Sequence, residues 1–182
     1  MENMQVVLAA IFGSGVTSAV VTFALNSWHV GSKSKRSAAY LAQKIAFILE
    51  RYAILAADSL GDHDAAIITD GHHGTTASKL TLFSELPESQ DYDKLDAKIL
   101  DRVLDFPDQI QLANSAIDQL FDFEGGEEAV AYAAKATNEI ALSAIAIATE
   151  LRLKNGLPKR NLDFEGYQVH KWLKDRLAKA SA

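Results

Sequence analysis

The chain of 182 residues contains no cysteine and has only 3 prolines and 10 glycines. The missing cysteine excludes disulfides, thiolate nucleophiles and cysteine-ligated metal sites. So little proline and glycine excludes a long flexible linker and leaves extended stretches open to helix. Strand-type alternation is lacking as well. Alanine-rich segments with helical periodicity dominate, which predicts an all-α fold.

Positive charge is scarce through the middle of the chain. The total is −6, residues 1–36 carry +2 and residues 151–182 carry +5, which leaves −13 for residues 37–150. Phosphate neutralisation needs Lys and Arg, so no nucleic-acid partner is expected. The same charge keeps the body away from anionic lipid. Chemical motifs are also missing. There is no G-x-x-x-x-G-K-[ST], no dinucleotide fingerprint, no H-E-x-x-H, no E-x-x-H pair and no G-x-S-x-G. No cofactor and no recognisable catalytic centre are therefore expected.

What the sequence does have is an apolar run. Val6 to Leu25 is free of charge, Pro, Asn and Gln. As a helix it rises about 30 Å, the thickness of a bilayer's hydrocarbon core. Ten large apolar residues favour insertion by roughly 3–5 kcal/mol, which the Gly, Ser and Thr residues partly erode. Only Glu2 precedes the run among charged residues, whereas Lys33, Lys35 and Arg36 follow it. The positive-inside rule then places the N-terminus outside and the C-terminal domain in the cytoplasm. A cleaved signal peptide predicts a basic leader, and MENMQ is not one. A buried central helix of a soluble protein is the other rival reading. Ala10, Gly13, Ser14, Thr17 and Ser18 form a small-residue face suited to self-association in the membrane.

The expected organisation is a transmembrane helix in 1–28, a basic connector in 29–36, and an antiparallel bundle of four to five helices in 37–182. The Gly/Ser-containing connector is expected to loosen the helix, with Ser37 as an N-cap. Leu41, Ile45, Ile48, Tyr52 and Leu55 form a seam, Tyr40, Phe47 and Ile54 a second row, and Gly61 a stop. A long loop should fill 61–91. From Asp91 to Asp122 the apolar face is Leu95, Ile99, Val103, Phe106, Ile110, Ala113, Ile117 and Leu120, kinked or split at Pro107. A further helix is expected over 127–155, stopped by Asn155-Gly156 and Pro158. A last, basic helix is expected over 164–179, capped by Asp163 and docked on the acidic body rather than on lipid.

One loop cluster has metal-ligating residue types: Asp62, His63, Asp64, Asp70, His72 and His73. Imidazole and carboxylate suit zinc or a similar ion, but the spacing matches no known motif. Three functions follow. The first is a membrane-anchored interaction or scaffold protein, binding the bilayer through 6–25 and an unidentified protein partner or itself. The second is a metal-binding sensor or hydrolase using loop 62–73. The third is a pore-forming or lysis-type membrane protein built from the span.

Overall fold

A computed structural model describes the backbone of residues 2–180, and the side chains of residues 34–179 other than Phe164. The described chain consists of helices α1 (Glu2–Ile68), α2 (Ala97–Phe123), α3 (Gly126–Lys154) and α4 (Val169–Ala180), with a 3₁₀ turn at Tyr92–Lys94. A small antiparallel hairpin, β1 (Asp163–Phe164) with β2 (Tyr167–Gln168), precedes α4. The all-α expectation holds apart from that hairpin. The side chains of the apolar run 6–25, with its small-residue face, lie outside the described residues. Among the described residues no helix is long and apolar enough to cross a membrane.

The expected break over 26–37 is absent, because α1 runs through it as one helix of 67 residues. Only Gly31 weakens this stretch, and a helix glycine costs about 1 kcal/mol. Stopping there would require a second, unfavourable nucleation. Ser37 is consequently not an N-cap. It lies inside α1, and its hydroxyl donates to the Asp91 carboxylate. Gly61 is not a stop either. The helix continues to Ile68 and ends where Asp70 takes a left-handed conformation (φ 51°). Gly71 N–H then donates back to Ala66 O at 2.8 Å, the closing bond of a Schellman turn.

The α1 seam is smaller than expected. Leu41, Ile45, Leu49 and Tyr52 are buried together with Ala38, Ala42, Ala46, Ala53, Ala56, Ala57 and Leu60. Tyr40, Phe47 and Leu55 are exposed. Ala129, Ala133, Ala141, Ala144 and Ala148 are buried on α3, which packs against α1, α2 and α4. Alanine on both helices allows their backbones to approach closely, and each buried Ala loses no side-chain entropy. On α2 the expected face is the one buried, with Leu120 at its margin. The helix starts at Ala97 rather than near Asp91, because the Asp96 side chain accepts from Lys98 N–H and Ile99 N–H. Pro107 lies within one continuous helix. Its missing hydrogen bond costs roughly 3 kcal/mol. Burying Val103, Phe106 and Ile110 around it returns about 1.5–3 kcal/mol each.

The last helix begins five residues later than expected. Glu165 (φ 45°) and Gly166 (φ 90°) form a tight turn between the two short strands, so Asp163 opens a hairpin and caps nothing. The helix then docks on the body. Val169 and Leu173 are buried, and Asn138 Nδ2 donates to Leu173 O at 3.1 Å.

The irregular segment is 69–91, shorter than the expected loop, and it is strapped down. Ala77 and Leu80 are buried, and Leu80 N–H donates to Asn114 Oδ1 at 2.7 Å. Phe83 stacks edge-on with Tyr52 and Phe106, with centroids 6.0 and 5.1 Å away. Gly74 (φ +81°) makes the strap's closest approach. A Cβ there would lie 2.1 Å from Asp62 O and 2.9 Å from Ala66 N. Gly74→Ala should therefore destabilise the protein by about 1–3 kcal/mol. Gly61→Ala, inside α1 with nothing near its Cβ, should stabilise it by about 0.5–1 kcal/mol. Urea unfolding midpoints of the two variants against wild type check both signs.

Candidate functional site

The residues that sequence reasoning grouped as a metal loop are separated by the fold. His63, on the last turns of α1, is buried, and its Nδ1 accepts from Ala77 N–H at 3.2 Å. The ring is therefore neutral with its proton on Nε2. Asp64 is held by Arg176 of α4 through two bonds, at 2.7 and 3.2 Å. Asp70 supplies the left-handed cap residue. His72 and His73 are exposed and contribute backbone groups to the turn, His73 N–H donating to Thr69 Oγ1 at 2.9 Å. Asp62 is also exposed. Among the described residues no three His, Asp or Glu side chains are grouped as a metal site. Lys35 and Arg36 are exposed near the start of the described side chains, and Lys33 lies outside them.

A different constellation lies between α1, the end of α3 and the link to α4. It starts from Glu50, whose side chain is only 5% exposed. An ionised carboxylate that deep must be paired. Arg152, on the last turn of α3, clamps it, with Nε–H donating to Oε1 at 2.6 Å and Nη2–H to Oε2 at 3.0 Å. Arg160 adds a third bond from Nη1 to Oε2 at 3.0 Å.

Local chain chemistry brings Arg160 there. Asn155 ends α3, and Gly156 (φ 65°) turns the chain so that Leu157 N–H bonds Arg152 O at 2.9 Å. Pro158 forbids further helix, and its carbonyl accepts from Arg152 Nη1 at 3.3 Å. The link thus folds back over α1. The Arg160 guanidinium lies above the Phe47 ring, 4.2 Å from its centroid, a stacked cation–π contact. This explains why Phe47 is exposed rather than in the core.

Behind this triad is a pocket of about 470 Å³ lined by Glu50, Arg152, Arg160, Lys159, Lys171, His170 and Asp163, with Ile145, Leu153, Leu157 and Leu162 as apolar wall. Its volume falls within the roughly 300–1,000 Å³ of small-molecule sites. The potential inside is positive. Partial burial, Lys174 and Lys159 all discourage a proton on His170, and Asp163 opposes them only in part. The arrangement is suited to holding an anion. No nucleophile–base pair accompanies it among the residues lining the pocket.

Nothing in the local sequence pattern isolates this site, because Glu50 meets residues 102 and 110 positions away. One signal was legible. Glu50 follows Ala46 by four and precedes Ala53 by three, which puts it on the buried stripe.

Two outcomes follow. Glu50→Ala leaves the buried Arg152 guanidinium unpaired and should cost about 3–5 kcal/mol. Arg160→Ala, at a cation one-third exposed, should cost no more than about 1 kcal/mol; equilibrium denaturation separates the two. His63 has its pKa lowered from 6.5 by burial first and by Arg176 second, with Asp64 opposing. The folded state thus resists the proton that the unfolded state accepts. The stability contribution is complete above pH 6.5 and is lost as pH falls through the folded pKa. Stability should drop between pH 7.5 and 5.5, and His63→Gln should reduce that drop, with His170, lowered by burial and then by Lys174 and Lys159, supplying the remainder, measured by denaturation at both values.

In comparisons of sequence and of structure, no family model, no characterised protein and no solved structure matches this chain.

Proposed function

We propose that this chain is a membrane-anchored helical interaction protein. Residues 6–25 span the bilayer once, Lys33, Lys35 and Arg36 stay on the cytoplasmic side, and the bundle presents a surface to a protein partner. The observation that carries the reading is the continuity of α1. The helix that holds the apolar run is the same helix that buries Leu41 to Leu60 in the bundle core. A rigid connection of this kind sets the body at a fixed distance from the membrane surface.

The surface of the body supports an interaction role. Leu104 and Leu112 are exposed on α2, and Phe121 and Phe123 are exposed near its end, Phe123 at 86%. A protein partner would cover these side chains. Self-association through Ala10, Gly13, Ser14, Thr17 and Ser18 would add a second copy in the membrane.

Cell fractionation tests the reading. The full chain should sediment with membranes, resist alkaline carbonate and be released by detergent. Protease added outside spheroplasts should leave residues 37–182 intact. Recovery of intact chain in the high-speed supernatant, or digestion of the bundle from outside, removes the proposal.

A further inference from the structure

The pocket beside Glu50 has a composition that the ion triad does not use up. Its lining holds four permanent cations, Arg152, Lys159, Arg160 and Lys171, against two carboxylates, Glu50 and Asp163. Both oxygens of Glu50 already accept from guanidinium groups, so Glu50 cannot neutralise Lys159 or Lys171. Arg160 gives one N–H to Glu50 and is fixed over Phe47. It therefore lines the pocket as a rigid donor group whose ordering cost is already met within the fold. Leu153, Leu157 and Leu162 line the same cavity, and none of the three is buried. Apolar wall and surplus positive charge in one concave site are the two halves of a site for an amphiphile.

We propose that this pocket binds an amphipathic organic monoanion, its carboxylate held by Lys159, Arg160 and Lys171 and its apolar body covering Leu153, Leu157 and Leu162. The lining has a surplus of two positive charges with Asp163 on it, enough to hold a carboxylate, and the three leucines beside them call for an organic body on the anion. Burial first, and then Lys174 and Lys159, discourage protonation of His170, and an entering carboxylate would relieve the part due to the lysines. The inference does not depend on the membrane anchor and stands or falls separately from it.

Isothermal titration of the purified full chain at pH 7.5 tests it, with three probes: 4-phenylbutanoate, the neutral 4-phenylbutanol and inorganic phosphate. The acid should bind at least tenfold more tightly than either of the others. Lys159 and Lys171 are exposed, so the double variant K159E/K171E should melt like wild type and bind the acid at least tenfold more weakly. Asp163→Asn should tighten binding severalfold. Binding of the alcohol or of phosphate as tight as that of the acid overturns the proposal. So does no binding of the acid, or unchanged affinity in the double variant.

Discussion

The fold depends on the close approach of α1 and α3 through alanine. With methyl groups on both faces, the helices are near enough for Glu50 and Arg152 to meet inside the core at 2.6 Å. Such a pair gives little net stability by itself, because both charges have been taken out of water. Its effect is on register. Sliding α3 along α1 by one turn, about 5.4 Å, would bury two unpaired charges, whereas an all-alanine seam would tolerate the slide. The apolar surface supplies the attraction between the helices and the ion pair selects one alignment.

The remaining elements follow from that alignment. α2 covers the other side of α3 with Ile99, Val103, Phe106, Ile110 and Ile117. The strap 69–91 closes the space between α1 and α2, with Phe83 seated against Tyr52 and Phe106. α4 closes the end near His63, where the Arg176–Asp64 pair and the bond from Asn138 hold it. The link between α3 and α4 must cross over Glu50, and this crossing creates the pocket.

How much of this was legible depended on the range of the interaction. The α2 face was readable to the residue because its burial repeats every three or four positions. The limits of α3 were readable from two acidic residues at one end and Asn155-Gly156 at the other. α1 was misread in both directions. Gly31 and Gly61 looked like punctuation, but a lone glycine without proline costs less than restarting a helix. Leu41, Ile45 and Tyr52 hold their expected places in the seam, but alanines fill much of the rest of it, and Phe47 and Tyr40 lie outside carrying cations above their rings. The hairpin at 163–168 was hidden behind a plausible helix cap. The loop histidines drew attention because they cluster in sequence. The pocket did not, because its parts come from α1, the end of α3, the link beyond it and the start of α4.

The unbroken course of α1 has a mechanical consequence. A helix resists twisting, so rotating its N-terminal half about the long axis carries Leu41, Glu50 and Tyr52 around with it. At the triad such a rotation would be felt as an angular displacement of one carboxylate against two guanidinium groups held by other elements. Torque applied to the first thirty residues would therefore arrive at the wall of the basic pocket, with no swivel in between to absorb it.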